Sequence, residues 1–229
     1  MKYYNNDNIQ YVLTALDGSP NLENVEKITI DKDIAIITNL NENSILIKQL
    51  NKNKIKYYNL NNIDKITENY SLLVFNKDAV IVNNLDNIFI NKFLDFNKDY
   101  IFCGMIIDYP FIDSPIYKNN LLPTFNRYIN SSLCFAYTDI IKKIVVELQY
   151  SNKYDNTVFE QNNHLIYANH NDNFNFKNNI DIENKLFTSI YDKTNNLFLV
   201  DNNGFIGKEL NFNASCIVIN GGNIENEEI

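Results

Sequence analysis

Arginine occurs once in the 229-residue chain, as Arg127; tryptophan is missing and histidine occurs twice. With a formal net charge of −8, so few clustered cations exclude a binder of the nucleic-acid backbone, which needs Lys and Arg to neutralise phosphates. Glycine and proline are scarce, at 6 and 4 residues. No glycine-rich phosphate loop can be written, and neither GxSxG nor HExxH is present. The three cysteines, Cys103, Cys134 and Cys216, are far apart, with no CxxC pair and no histidine at zinc spacing. Set in apolar runs, they are expected to be buried free thiols. No segment reaches the ~18 consecutive apolar residues of a membrane span, and Met1 is followed by polar Lys2-Tyr3-Tyr4-Asn5-Asn6 instead of a signal peptide. The expectation is a protein with no membrane partner, in the cytoplasm, or packaged in a virion if its source is viral. The N-x-S/T sequons at Asn69, Asn130 and Asn213 would then meet no glycosylation machinery.

What the chain does have is apolar substance. Hydrophobic residues make up 45%, with 15 Tyr and 15 Phe, enough to bury a core in one large domain or one domain with a small appendage. Asparagine fills the polar positions more often held by Lys, Glu, Arg and Ser. Asn, Ile, Lys and Tyr together are the usage of an AT-rich coding genome, which carries no chemistry. Asn-rich tracts can favour β-aggregation, but apolar strands break them at short intervals here.

Residues 1–32 read as a small β appendage. Tyr11–Leu16 is strand-like and closes on the turn Asp17-Gly18-Ser19-Pro20, and Ile28-Thr29-Ile30 is a short strand that could pair with it. From 33 to 229 strands and helices alternate, as in an α/β sheet fold. Ile34–Thr38 is apolar throughout, the pattern of a parallel strand buried on both faces. Asn43 or Ser44 can cap a helix carrying Ile45, Leu46 and Leu50. Further strands are expected at Lys54–Tyr58, Ser71–Phe75, Val80–Val82, Tyr100–Met105, Lys185–Phe187, Leu197–Val200 and Ser215–Ile219. Helices are expected at Leu85–Phe96 and Asp139–Tyr150, the second entered from Tyr128–Ala136. Loop 108–126 holds Pro110, Pro115 and Pro123 and is long enough to be functional; the Asn-rich stretch 160–179 is expected to be loop.

Ligands of such sheets bind beyond the carboxyl ends of the strands, which selects Thr38, Asp78 and Asn220. Asp78 can be a metal or nucleotide ligand, or an aspartate in a turn. Asp155 can be a general base or substrate ligand, or an aspartate that starts a helix. Asn220-Gly221-Gly222-Asn223 can bring backbone N–H groups to a diphosphate, or end a strand. His164 and His170, six apart, can pair on a metal or stand exposed in a loop.

Several segments in order resemble the glycosyltransferase domain of the procollagen lysyl hydroxylases and related collagen glucosyltransferases. Arg127-Tyr128-Ile129-Asn130-Ser131-Ser132, followed by Phe135-Ala136-Tyr137, is similar to that family's R-Y-L-N-S-G segment and G-Y strand. Phe102-Cys103-Gly104 and Tyr109-Pro110 are similar to its strand and aromatic-Pro loop, and Tyr154–Phe159 to its D-D-Q-x-F segment. Ile182–Ile190 fits the stretch reading L-D-x-x-x-x-I-F-Q-x-L, and Ile217–Asn223 resembles the V-x-H-G-N-G terminus. The likeness runs from about Asp33 to Asn223. It implies a GT-A fold, a mixed central sheet flanked by helices, that transfers hexose from a UDP-sugar to collagen hydroxylysine or its galactosyl form. A divalent metal, typically Mn²⁺, would neutralise the departing UDP, held by two aspartates of a D-x-x-D motif and the terminal histidine.

The chain departs from that pattern at the metal. Aligned without a gap from Phe75, the two aspartates fall on Lys77 and Val80, and the histidine on Asn220. Asp78 stands one residue out of register. Only Asp155 remains of the D-D-Q segment, and the glycine-rich stretch between the second and third strands shrinks to Asn59–Asn69 without a glycine. Hard cations need charged oxygens, so the expectation is a divergent glycosyltransferase-like protein with an eroded metal site and impaired catalysis. No cofactor is then expected, and Mn²⁺ only if activity persists. Thr38, Lys77, Asp78, Arg127, Asn130, Ser131, Asn220 and Gly221 are the candidates for a UDP-sugar, with Asp155 for catalysis toward a collagen-like protein acceptor. Two alternatives stand beside it. One is an active transferase with an altered donor or a metal-independent mechanism; the other is a structural or virion-associated protein making contacts through surface Tyr and Asn.

Overall fold

The structure is a computed structural model that describes residues 28–76, 79–81, 83–105, 128–149, 177–191 and 216–220. Residues 28–31 are tied to the body. Ile30 bridges Leu85, whose backbone N–H donates to Thr29 O at 3.0 Å and whose carbonyl accepts from Asp31 N at 2.7 Å. The expected Ile28–Ile30 strand is therefore a single bridge, and Ile28 is buried in the core. Tyr11–Pro20, loop 108–126 and Leu197–Val200 lie outside the described residues.

Strand β1 (Ile34–Ile37) is buried along its whole length and pairs in parallel with β2 (Tyr57–Tyr58) on one side and β3 (Tyr70–Val74) on the other. Its uninterrupted apolar run follows from that: both faces of the sheet are covered, so neither can be polar. Helix α1 (Ile45–Lys52) crosses from β1 to β2, and the Ser44 hydroxyl caps it by accepting from Ile47 N at 3.4 Å. After α1 the chain turns sharply. Lys54 takes a positive φ of 56°, and the N–H groups of Asn53, Lys54 and Ile55 bond back to Gln49, Asn51 and Leu50. The strand expected from Lys54 therefore pairs only at Tyr57 and Tyr58. A 3₁₀ helix (Leu60–Lys65) leads into β3.

Strand β4 (Ala79–Ile81) leaves the main sheet. Helix α2 spans Asn87–Leu94, shorter than expected at its start because the backbone of Leu85 is bonded to Thr29 and Asp31 and Asp86 serves as the cap, accepting from Ile88 N and Phe89 N. Then come β5 (Tyr100–Met105), β6 (Tyr128–Tyr137) and α3 (Thr138–Gln149). The first described residues after α3 end the stretch expected to be loop, yet Asn178 and Asn179 open strand β7 (Asn178–Asp181). Their composition is poor for a strand; pairing of Asn178 with Tyr100 and Asn179 with Ile101 on the flank of β5 makes them one. Strand β8 (Phe187–Tyr191) starts two residues later than expected, because the Lys185 and Leu186 N–H groups are taken by the Asp181 carboxylate. Strand β9 (Cys216–Asn220) is the last described element.

The protein is a mixed α/β fold: the described residues form an open six-stranded sheet, order β2-β1-β3-β6-β5-β7, and a three-stranded sheet, order β4-β9-β8. Strand β6 is antiparallel to both of its neighbours, and β7 is parallel to β5. The other five strands of the large sheet therefore all run one way.

Alternate residues feed two cores. Ile34, Ile36, Leu72, Val74 and Phe135 face α1, α2 and the small sheet; Ala35, Ile37, Leu73, Cys134 and Ala136 face the 3₁₀ helix and α3. Phe135 centres the first core, with Phe89 and Phe93 edge-on at 4.9 Å and Tyr70 stacked at 5.8 Å. Each fully buried ring of this kind is worth about 1.5–3 kcal/mol in transfer energy alone. The two cores cover the large sheet on both faces, and its strand ends carry the candidate site.

Candidate functional site

Since β1, β2, β3, β5 and β7 run one way, their carboxyl ends share one edge of the sheet, where open α/β sheets hold ligands. Thr38 follows β1 there. Phe75 and Asn76 follow β3, Met105 ends β5, and β6 begins at the same edge because it runs in reverse.

The ladder is broken at this edge. Phe102 pairs with Cys134, but the next residue, Cys103, pairs with Asn130, so Ser131, Ser132 and Leu133 bulge out of the β5–β6 register. The bulged residues stay bonded to β3: Leu133 pairs with Val74, and Ser132 O accepts from Phe75 N at 2.8 Å. Bulges re-aim side chains and gather beside functional sites.

Asn130 is aimed by this bulge. It is 4% exposed. Its Oδ1 accepts from Ser132 N at 3.1 Å and from Ser132 Oγ at 2.6 Å. A backbone N–H can only donate, so the atom facing Ser132 must be the oxygen and the amide orientation is fixed. Nδ2 then points away from Ser132, buried and, among the described residues, without a hydrogen-bond partner. A buried donor left unpaired costs about 1–3 kcal/mol, a cost that strain, an ordered water or a ligand would account for.

Thr38 is buried at the same edge with its polar groups engaged: N donates to Tyr58 O at 2.9 Å, and Oγ1 accepts from Leu40 N at 3.2 Å. Its hydroxyl closes the turn after β1. Ser131 lies in the bulge beside Asn130. Asn220 ends β9 in the other sheet, opposite Tyr191 of β8. It lies two residues beyond the pairing of Val218 with Ala79, at the end of β4 that positions 77 and 78 precede in sequence. Lys77, Asp78, Arg127, Asp155, Gly221, His164 and His170 lie outside the described residues. Val80 is described and is a buried hydrocarbon within β4.

Three further polar residues carry structure that the sequence reading missed. Ser132 fixes Asn130, as above. Gln49 is fully buried and bonds the backbone of Ile81 twice, Nε2 to O at 2.6 Å and Oε1 from N at 3.0 Å, supplying the free edge of β4 with the partner a strand would give. Its signal was present: Gln49 falls three and four residues after Leu46 and Ile45, a polar residue on the apolar stripe. Asp181 is fully buried and accepts from the N–H groups of Lys185, Leu186 and Phe187 at 2.8, 2.7 and 2.9 Å. Burial raises its pKa above the ordinary range, against those three bonds, which lower it.

Cys103 and Cys134 are buried free thiols, as expected. They belong to opposite faces of the sheet, so they cannot pair. Burial pushes the Cys134 thiol up to about 12, although the Tyr100 hydroxyl 2.7 Å away favours the thiolate. Thiolate is the reactive form. Native protein treated with iodoacetamide at pH 8 should therefore keep both residues unlabelled, and urea should expose them; mass mapping of Cys134 labelled within minutes in native buffer would contradict the packing of β6.

Among the described residues, no group of three or more His, Cys, Asp or Glu could hold a metal ion, and no helix is long and apolar enough to cross a membrane. Compared with known proteins, the chain matches no protein-family profile and no curated protein.

Proposed function

We propose that the chain is a divergent GT-A-like glycosyltransferase domain that binds a UDP-sugar at the carboxyl edge of its large sheet and has lost metal-assisted transfer. The observation that carries this reading is the unpaired, buried Nδ2 of Asn130, at a residue the sequence resemblance had already assigned to the sugar nucleotide. The mixed sheet suits the same reading, as does β9, whose last residue, Asn220, lies two beyond the pairing of Val218 with Ala79.

The residues present do not suit a divalent cation. Val80, where the family has its second aspartate, offers no donor atom, and Asn220 offers a neutral amide in place of imidazole. Hard cations are held by charged oxygens, and these two positions supply none. A Lys at position 77 and the lone Arg127 would supply the charge facing a diphosphate.

The test is thermal denaturation and calorimetry with UDP-glucose and UDP-galactose, with and without Mn²⁺. Ligand at 100 times its dissociation constant should add about 2.7 kcal/mol of stability, independent of Mn²⁺. Asn130→Ala should weaken binding about tenfold or more, because a ligand oxygen loses its donor. If neither sugar nucleotide stabilises the wild type, the proposal is wrong; multiple turnovers that require Mn²⁺ would replace it with an active, metal-dependent transferase.

A further inference from the structure

We propose that Ser132 is a positioning residue of this site: it locks the Asn130 amide so that the site presents a hydrogen-bond donor, and thereby selects ligands that bring an acceptor oxygen to that point. The inference rests on the sugar-nucleotide reading above and adds to it which residue sets the polarity of the contact.

A free asparagine amide can turn over and offer either its oxygen or its nitrogen. Here the choice is removed twice. Ser132 N donates to Oδ1 at 3.1 Å, which forces oxygen toward the bulge, and Ser132 Oγ donates to the same atom at 2.6 Å. The second bond belongs to this chain in particular, since the resembling segment reads N-S-G where this sequence reads Asn130-Ser131-Ser132. Backbone bonding alone would hold the amide by one contact; the hydroxyl closes a second and tightens it. Ser132 is itself buried, and its carbonyl is tied to Phe75 N at the end of β3. The lock is therefore anchored to the carboxyl edge of the sheet instead of to a free loop. With the oxygen committed, the unpaired Nδ2 can meet only an acceptor: a hydroxyl, carbonyl or phosphate oxygen. An ammonium or other pure donor would find nothing to bond.

Calorimetry with UDP-glucose on the wild type, Ser132→Ala, Ser132→Thr, Asn130→Ala and the Asn130→Ala/Ser132→Ala pair tests the assignment. Ser132→Ala should weaken binding about tenfold, and Ser132→Thr, which keeps the hydroxyl in a strand that tolerates a β-branched residue, should restore it to within about threefold. A positioning residue acts only through the group it positions, so the double variant should bind no more weakly than Asn130→Ala alone. Far-ultraviolet circular dichroism on each variant confirms that the fold is retained. Undiminished binding by Ser132→Ala, or losses that multiply in the double variant, would overturn the lock while leaving the sugar-nucleotide site standing. A wild type that binds no UDP-sugar would overturn both.

Discussion

Asp181→Ala is expected to lower the unfolding free energy by about 3–5 kcal/mol, measured by urea denaturation near neutral pH. The carboxylate holds the three consecutive N–H groups of Lys185, Leu186 and Phe187 as the chain leaves β7 and turns into β8. Between them Asn184 sits at a positive φ of 54°, a conformation asparagine tolerates better than most residues. Alanine would leave three donors without their acceptor, two of the bonds being buried, and each buried orphan costs about 1–3 kcal/mol. The same group gives the protein a definite pH response. Its folded pKa is raised above the ordinary 3.8, so at a pH between the two values the folded state holds a proton that the unfolded state releases. The group's contribution is therefore fully present below the unfolded value and is lost as pH rises through the folded one. Asp181→Asn cannot titrate, so the stability advantage of the wild type over this variant should shrink as pH rises from 3.5 toward 7. An advantage that grows over that range would mean the hydrogen bonds outweigh burial at this carboxylate.

Gln49→Leu should cost about 2–4 kcal/mol although it nearly preserves side-chain volume. Leucine fills the space but leaves the N–H and C=O of Ile81 unpaired in the interior, each costing about 1–3 kcal/mol. On its other edge Ile81 lies opposite Cys216 of β9, so Gln49 is what completes β4 on the α1 side. Gln49→Glu is the sharper comparison. It keeps the shape and the acceptor for Ile81 N, but turns an oxygen toward Ile81 O where the amide had donated at 2.6 Å, and it buries a charge. Glutamate should therefore destabilise at least as much as leucine. Undiminished stability of Gln49→Glu at a pH high enough to ionise the buried carboxyl, which then has no donor, would contradict the bond from Nε2 to Ile81 O.

The parts of the fold legible in the sequence are those where local pattern and tertiary environment agree. Ile34–Thr38 reads as a doubly covered parallel strand because nothing polar interrupts it, and Ser44 ahead of Leu46 and Leu50 reads as a capped helix. Elsewhere the deciding interactions are distant. Asn178 and Asn179 form a strand because β5 offers them an edge, which no local propensity encodes. The direction of β6 is equally hidden, since Tyr128–Tyr137 has the same pattern read either way. Asp181 and Gln49 are polar residues whose partners are backbone groups, and backbone groups leave no mark in a sequence. At the candidate site, Asn130 and Ser131 are singled out by family likeness alone. Ser132 was passed over because it replaces a glycine, and a residue compared only with its counterpart reads as a loss instead of a new bond.

The reversed strand at the centre of the large sheet bears on how the chain can be made. As it emerges from the ribosome, β1, β2 and β3 can assemble in order, and β5 is complete by Met105. Yet among the described residues β3 and β5 are joined in the sheet through β6, whose first residue is Tyr128. Until that segment is synthesised, two apolar strands each carry a row of unpaired backbone groups, the kind of open edge that recruits other chains. A nascent or truncated chain ending between Met105 and Tyr128 is thus expected to be prone to aggregation, and the arrival of β6 joins both halves of the sheet at once.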